Sequence, residues 1–131
     1  MKKVNLTLTE KQLHIIEDAI DLFIRVGIGQ LGIVLEKLEF LFPEQMKEQR
    51  SYDLKREFTD KMKEKIFDFA AGANFGISSP HVCDNVKIGY DLQKVIQKHI
   101  AVENNHDKYS VWHDGPMLHL GSEPIAEIEN S

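Results

Sequence analysis

The stretch that decides the fold class is Thr9-Glu10-Lys11-Gln12-Leu13-His14-Ile15-Ile16-Glu17-Asp18-Ala19-Ile20-Asp21-Leu22-Phe23-Ile24-Arg25-Val26-Gly27. It opens with a capping box. A Thr9 hydroxyl can accept the amide of Gln12 while the Gln12 side chain reaches back to the Thr9 amide. Leu13, Ile16, Ala19/Ile20, Phe23 and Val26/Gly27 then recur at three-to-four spacing, the apolar stripe of an amphipathic helix. Asp18, Asp21 and Arg25 fall off that stripe. Gly27, Gly29 and Gly32 follow within six residues, each costing a helix about 1 kcal/mol against alanine. The apolar pattern resumes through Ile33, Val34, Leu38, Leu41 and Phe42 and stops at Pro43. The reading is one kinked helix, or two consecutive ones, from Glu10 to Leu41. No Gly-x-Gly-x-x-Gly follows a strand here, and the flanks of these glycines are helical and apolar, so they read as packing residues rather than as a phosphate loop.

Working outward, a second helical region runs from about Ser51 to Ala71, with Leu54, Phe58, Met62, Ile66 and Phe69/Ala70 as its stripe. Gly72 to Pro80 is a small, polar, glycine-rich loop. Asp84 is placed to cap a third helix, Asn85 to about Glu103, with Ile88, Leu92, Val95/Ile96 and Ile100 inward. Val4 to Leu8 alternates apolar and polar and reads as a strand, as does Tyr109 to His113 and, weakly, Ile125 to Ile128. The expected class is therefore α+β: a mainly helical chain of three to four helices with a small antiparallel sheet made by the N- and C-terminal strands. Such a sheet is too small to stand alone and must lie on the helices.

The 131 residues fit a single domain, 1–131. With 42% hydrophobic and 28% charged residues the composition is that of a folded chain. No apolar run reaches the roughly 18 residues of a membrane span, and no signal-peptide core follows Lys2-Lys3, so a cytoplasmic protein is expected. The single cysteine, Cys83, excludes an intrachain disulfide. The net charge of −5 argues against coating DNA. The charge is uneven, however. Between Lys47 and Lys65 seven basic residues stand against five acidic ones, and from Asp114 onward there are four acids and no Lys or Arg. A solvated helix face accounts for most such runs, and a local anion pocket is the sharper alternative.

Candidate chemistry is sparse. His99, His106 and His113 are spaced by seven, with His119 beyond, but Asn104-Asn105 interrupts the helix that would align them, and no cysteine pair supports a zinc site. No metal is expected. His81-x-Cys83 before a helix start could activate a thiolate, yet no oriented third partner is legible. Paired carboxylates such as Glu17/Asp18/Asp21 and Glu36/Glu39 read as exposed faces. The loop from Gly72 to Asn85 says most. Phe75 could stack on a flat base. Asn85 carries the donor and acceptor pair that reads an adenine edge, at a helix start that favours phosphate. Arg50, ahead of the basic helix, could fork onto a phosphate. These residues suggest a nucleotide pocket. The ordinary alternative is that Phe75 caps the core and Asn85 merely begins a helix.

Several stretches carry a resemblance. Asn74-Phe75-Gly76-Ile77-Ser78-Ser79-Pro80 is followed by an Asn85-led helix with Tyr90-Asp91-Leu92-Gln93-Lys94-Val95-Ile96. The opening Leu-Thr-x-x-Gln-type helix with Ile28-Gly29-Gln30-Leu31, and the closing Gly121-Ser122-Glu123-Pro124-Ile125, fit the same pattern. Over about residues 6–128 the chain resembles the bacteriophage anti-Thoeris sponge family, the first described group of Thoeris anti-defence proteins. The resemblance implies a non-enzymatic nucleotide-binding domain without cofactor. It would hold a cyclic ADP-ribose isomer in the host cytoplasm and so deny the signal to a TIR-dependent immune effector. It also implies a homo-oligomer, dimer or hexamer, with pockets at subunit boundaries, and for some members cyclic di- or trinucleotides as further ligands. Carried over, Phe75 stacks on adenine, Asn85 hydrogen-bonds near it and Arg50 neutralises pyrophosphate. Gly76, Ser78 and Ser79 of the loop are expected to contact the ligand as well. After the third helix, where the family is expected to present arginines, this chain has Lys98, His99, His106 and Lys108. Those positions weaken the phosphate contacts, because lysine lacks the planar fork and histidine is mostly neutral at pH 7. The rival readings are a small nucleotide-degrading enzyme and a helical protein-interaction module.

Overall fold

The computed structural model describes residues 2–46, 49–67, 74–104 and 119–129, and within these the chain is helical. The helices are α1 (Glu10–Gly27), α2 (Ile33–Leu41), α3 (Pro43–Met46), α4 (Gln49–Phe67) and α5 (Asp84–Asn104). The Thr9 capping box is present in full. The Gln12 amide donates to Thr9 Oγ1 at 3.1 Å, and the Thr9 amide donates to Gln12 Oε1 at 2.8 Å.

The glycine cluster splits the long apolar segment into α1 and α2 for a local reason. Gly29 takes φ 86°, the left-handed conformation that glycine adopts without strain. Its amide donates to Val26 O at 3.0 Å, and the Gln30 amide donates to Arg25 O at 2.8 Å. These two bonds are the Schellman arrangement, which satisfies the last carbonyls of a helix and turns the chain sharply. Pro43 does not simply end the segment. It begins the short α3, where a proline ring is tolerated in a first helical turn.

The main packing is α1 against α5. Ile24, Val82 and Val86 form a buried cluster, with Ile20, Ile28, Phe75, Ile77 and Tyr90 packed around it. Gly27 makes room for the Val86 side chain, since a Cβ there would collide with it. The contact also carries a polar seam. Gln93 Nε2 donates to Asp21 Oδ1 at 2.9 Å and to Glu17 Oε1 at 3.2 Å, and Gln97 Nε2 donates to the same Glu17 oxygen at 2.9 Å. Both glutamines are buried, and these bonds offset the cost of taking their amides out of water.

The expected antiparallel sheet is absent among the described residues. Val4 and Leu6 are 82% and 72% exposed and have no strand beside them. Alternation makes a segment compatible with a sheet, but a ladder needs a partner backbone. The closing segment uses its amides differently. Leu120 and Gly121 donate to the Asp91 carboxylate and Ser122 to Asp84, both on α5, so 119–122 is fixed to a helix by side-chain acceptors. Ile125 to Ile128 continues without strand pairing. The Tyr109–His113 stretch lies outside the described residues. The fold is all-helical over what is described, and the α+β expectation is corrected accordingly.

Candidate functional site

The loop before α5 is anchored rather than loose. The Phe75 amide donates to Ile28 O at 2.8 Å, which ties the loop to the end of α1. The Phe75 ring is half-buried. It meets Phe67 edge-on, with centroids 5.9 Å apart, and lies over His81 at 5.5 Å with a 31° tilt. The ring therefore closes the α1–α5 core while bordering the loop. Gly76 and Ser78 are exposed. Ser79 is half-buried and organises the turn: its amide donates to Gly76 O, its carbonyl accepts Val82 N–H, and its hydroxyl accepts the His81 amide at 3.2 Å. Asn85 is exposed in the first turn of α5.

The other expected residues are spread further. Lys98 is exposed and His99 half-buried on α5. They stand thirteen and fourteen residues beyond Asn85 in one helix, about 20 Å along its axis at 1.5 Å per residue. One protomer cannot bring them and Asn85 onto one small ligand. Arg50 falls in the first turn of α4, and His106 lies outside the described residues.

Next to the loop, the fold makes a cleft of about 350 Å³ that the sequence reading did not foresee. One wall is the α1–α2 turn, with Arg25, Gln30 and Gly32. The other is α4, with Arg56, Thr59, Asp60 and Lys63. Asn74 joins them at the loop end, and Leu31, Ile33 and Leu35, all buried, form the apolar base. Its charged lining is Arg25, Arg56 and Lys63 against Glu36 and Asp60, a net cationic lining on a chain of net charge −5. Lys63 is only 6% exposed.

The sequence held a sign of this surface. Residues 56, 59, 60 and 63 follow the i, i+3, i+4, i+7 spacing of one helix face, and Phe58, Met62 and Ile66 form another. The lysine and arginine count marks the segment, and the cationic face within it is one of several polar faces that the helix presents. The α1–α2 wall was illegible, because a left-handed turn is needed to carry Gln30 back beside Arg25.

Lys94 donates to Gln97 Oε1 at 3.2 Å and lies 4.8 Å from the Tyr90 ring centroid. Burial lowers its pKa from the ordinary 10.5, opposed in part by Glu17 and Asp21, with Arg25 lowering it further. Cys83 is exposed. Among the described residues no three His, Cys, Asp or Glu side chains gather to hold a metal ion, and no helix is long and apolar enough to cross a membrane. No family model, curated protein or solved structure matches the chain.

Proposed function

We propose that this protein captures an adenine-bearing cyclic nucleotide of the cyclic ADP-ribose class and holds it unaltered, so that a host TIR-dependent defence loses its messenger. The observation that carries the reading is the cationic cleft, which Asn74 lines next to Phe75, although neither Phe75 nor Asn85 lines it. About 350 Å³ falls in the range of small-molecule sites, roughly 300–1,000 Å³. Its lining combines cations for phosphate, amide and hydroxyl groups for ribose or base, and an apolar base. The sequence resemblance supplies the ligand class.

A sponge needs affinity and slow release, with no chemistry. Nanomolar capture corresponds to about 12 kcal/mol. A stacked base gives roughly 1–3 kcal/mol and each charge-assisted hydrogen bond roughly 1.5–3, so several groups must converge on a preorganised site. A homo-oligomer belongs to the same proposal. Lys98 and His99 can join a pocket with Asn85 only across subunits. An oligomer would also cover Phe58, Met62 and Ile66, which α4 leaves 65%, 40% and 60% exposed.

The test is a calorimetric titration with cyclic ADP-ribose isomers and cyclic di- and trinucleotides, followed by heat denaturation and analysis of the released ligand. Intact ligand supports capture. Cleaved ligand moves the assignment to an enzyme, and indifference to the whole panel removes it. Light scattering on the eluting protein checks the oligomer, and a strict monomer removes the intersubunit pocket.

A further inference from the structure

We propose that Arg25 is the phosphate-gripping residue of the cleft, and that Gln93 of α5, which does not line the cleft, sets its geometry through Asp21. The inference rests on the reading that the cleft receives the anionic part of a nucleotide.

Arg25 is held at two of its nitrogens. Nε donates to Asp21 Oδ2 at 3.0 Å, and Nη1 donates to Gln30 Oε1 at 2.7 Å. Gln30 is fixed in turn, since its own amide donates to Arg25 O at 2.8 Å in the left-handed turn. The second oxygen of Asp21 accepts Gln93 Nε2 at 2.9 Å. Gln93 is 4% exposed and also bonded to Glu17, so it has little freedom to move. A continuous relay therefore runs from the buried α1–α5 seam to a guanidinium on the cleft wall.

That arrangement is more than a surface ion pair. The Arg25 side chain is 44% exposed, and an arginine so exposed ordinarily samples many rotamers. Here two of the five guanidinium N–H groups are spent on orientation, leaving three for a ligand. A planar guanidinium with donors to spare suits a phosphate oxygen pair. Across the cleft, the exposed Arg56 adds a second guanidinium on the α4 wall, beside Asp60. The chemical class that fits is a phosphate diester or pyrophosphate.

Asp21→Asn separates positioning from bulk charge. If Arg25 acts only through its charge, removing a neighbouring carboxylate tightens anion binding. If Asp21 aims the guanidinium, removing the charge weakens it. Titration of the full-length protein with inorganic pyrophosphate at several salt concentrations is expected to show about 3- to 10-fold weaker binding for Asp21→Asn and for Gln93→Leu, with the salt dependence undiminished. Arg25→Gln is expected to lose tenfold or more with a shallower salt dependence, and Arg25→Lys to keep the salt dependence but recover only part of the affinity. Circular dichroism checks each fold. Should Gln93→Leu fail to fold, Asp21→Asn decides alone, as its site is partly exposed.

Wild-type protein that ignores pyrophosphate, an Arg25→Gln variant that binds it normally, or unchanged or tighter binding by Asp21→Asn or by a folded Gln93→Leu each overturns the proposal. Cyclic ADP-ribose bound equally well by Arg25→Gln removes the grip and leaves the capture reading intact. Arg25-dependent pyrophosphate binding without any cyclic ADP-ribose binding leaves the grip and removes the capture reading.

Discussion

Asp91 and Gly121, thirty residues apart in sequence, are joined at 2.8 Å by the Gly121 amide donating to Asp91 Oδ2. The neighbouring Leu120 amide lies 3.0 and 3.2 Å from the two oxygens of the same carboxylate, and Asp91 is 5% exposed. A buried carboxylate is tolerable where backbone N–H groups take the place of its lost water. Asp91→Ala leaves two amides without their acceptor and should cost about 2–4 kcal/mol. Urea unfolding measures the loss, and limited proteolysis should show 119–129 cut first in the variant.

Gly121 has a second constraint. A Cβ there would lie 2.7 to 2.8 Å from the backbone of Ile88, which cannot give way without moving α5. Gly121→Ala should destabilise by about 1–3 kcal/mol through overpacking. Gly32→Ala is the matched comparison. Nothing lies within 4 Å of its Cβ position, and its φ −59° and ψ −21° suit alanine, so its melting temperature should hold or rise slightly.

Phe75 and Asn85 should separate cleanly as variants. Phe75 packs against the buried cluster, so Phe75→Ala should lose about 2 kcal/mol of stability together with ligand affinity. Asn85 is exposed, so Asn85→Ala should alter stability by no more than about 0.5 kcal/mol while weakening nucleotide binding roughly tenfold. Thermal melts beside calorimetric titrations give both numbers. Equal ligand affinity in the two variants and wild type would sink the loop as a binding element.

Lys94 gives a pH signature. Burial lowers its folded-state pKa below the ordinary 10.5, so the unfolded chain holds the proton more tightly. Between the lowered value and 10.5, unfolding takes up a proton, and stability from this group rises with pH. Below that window its destabilising effect is complete, and above 10.5 it is gone. Denaturant midpoints measured through the alkaline range should show this rise in the wild type and lack it in Lys94→Met.

Helix starts and stops were the most legible part of the fold. The Thr9/Gln12 box and the glycine break are local, and local hydrogen bonding decides them. The strands were misread because Val4–Leu8 has the alternation of a strand while pairing depends on a distant segment. Asp84 reads in sequence as a helix cap and Asp91 as an ordinary helix residue, but α5 begins at Asp84 itself and both carboxylates accept amides 29 or more residues away. The inward face of α5 was displaced for the same reason. Gln93 and Gln97 are buried because α1 presents Glu17 and Asp21 to them. The cleft escaped because its two walls meet only once Gly29 has turned the chain.

The bond from Gly121 to Asp91 also orders events during synthesis. Asp91 is polymerised before its two donors, so a chain that stops short of them carries an uncompensated acid on the side of α5 that must become dry. The helix can dock provisionally on α1, but its final seating waits until 120 and 121 have emerged. A released chain truncated between the two should therefore keep its first helices formed and leave its last one loose.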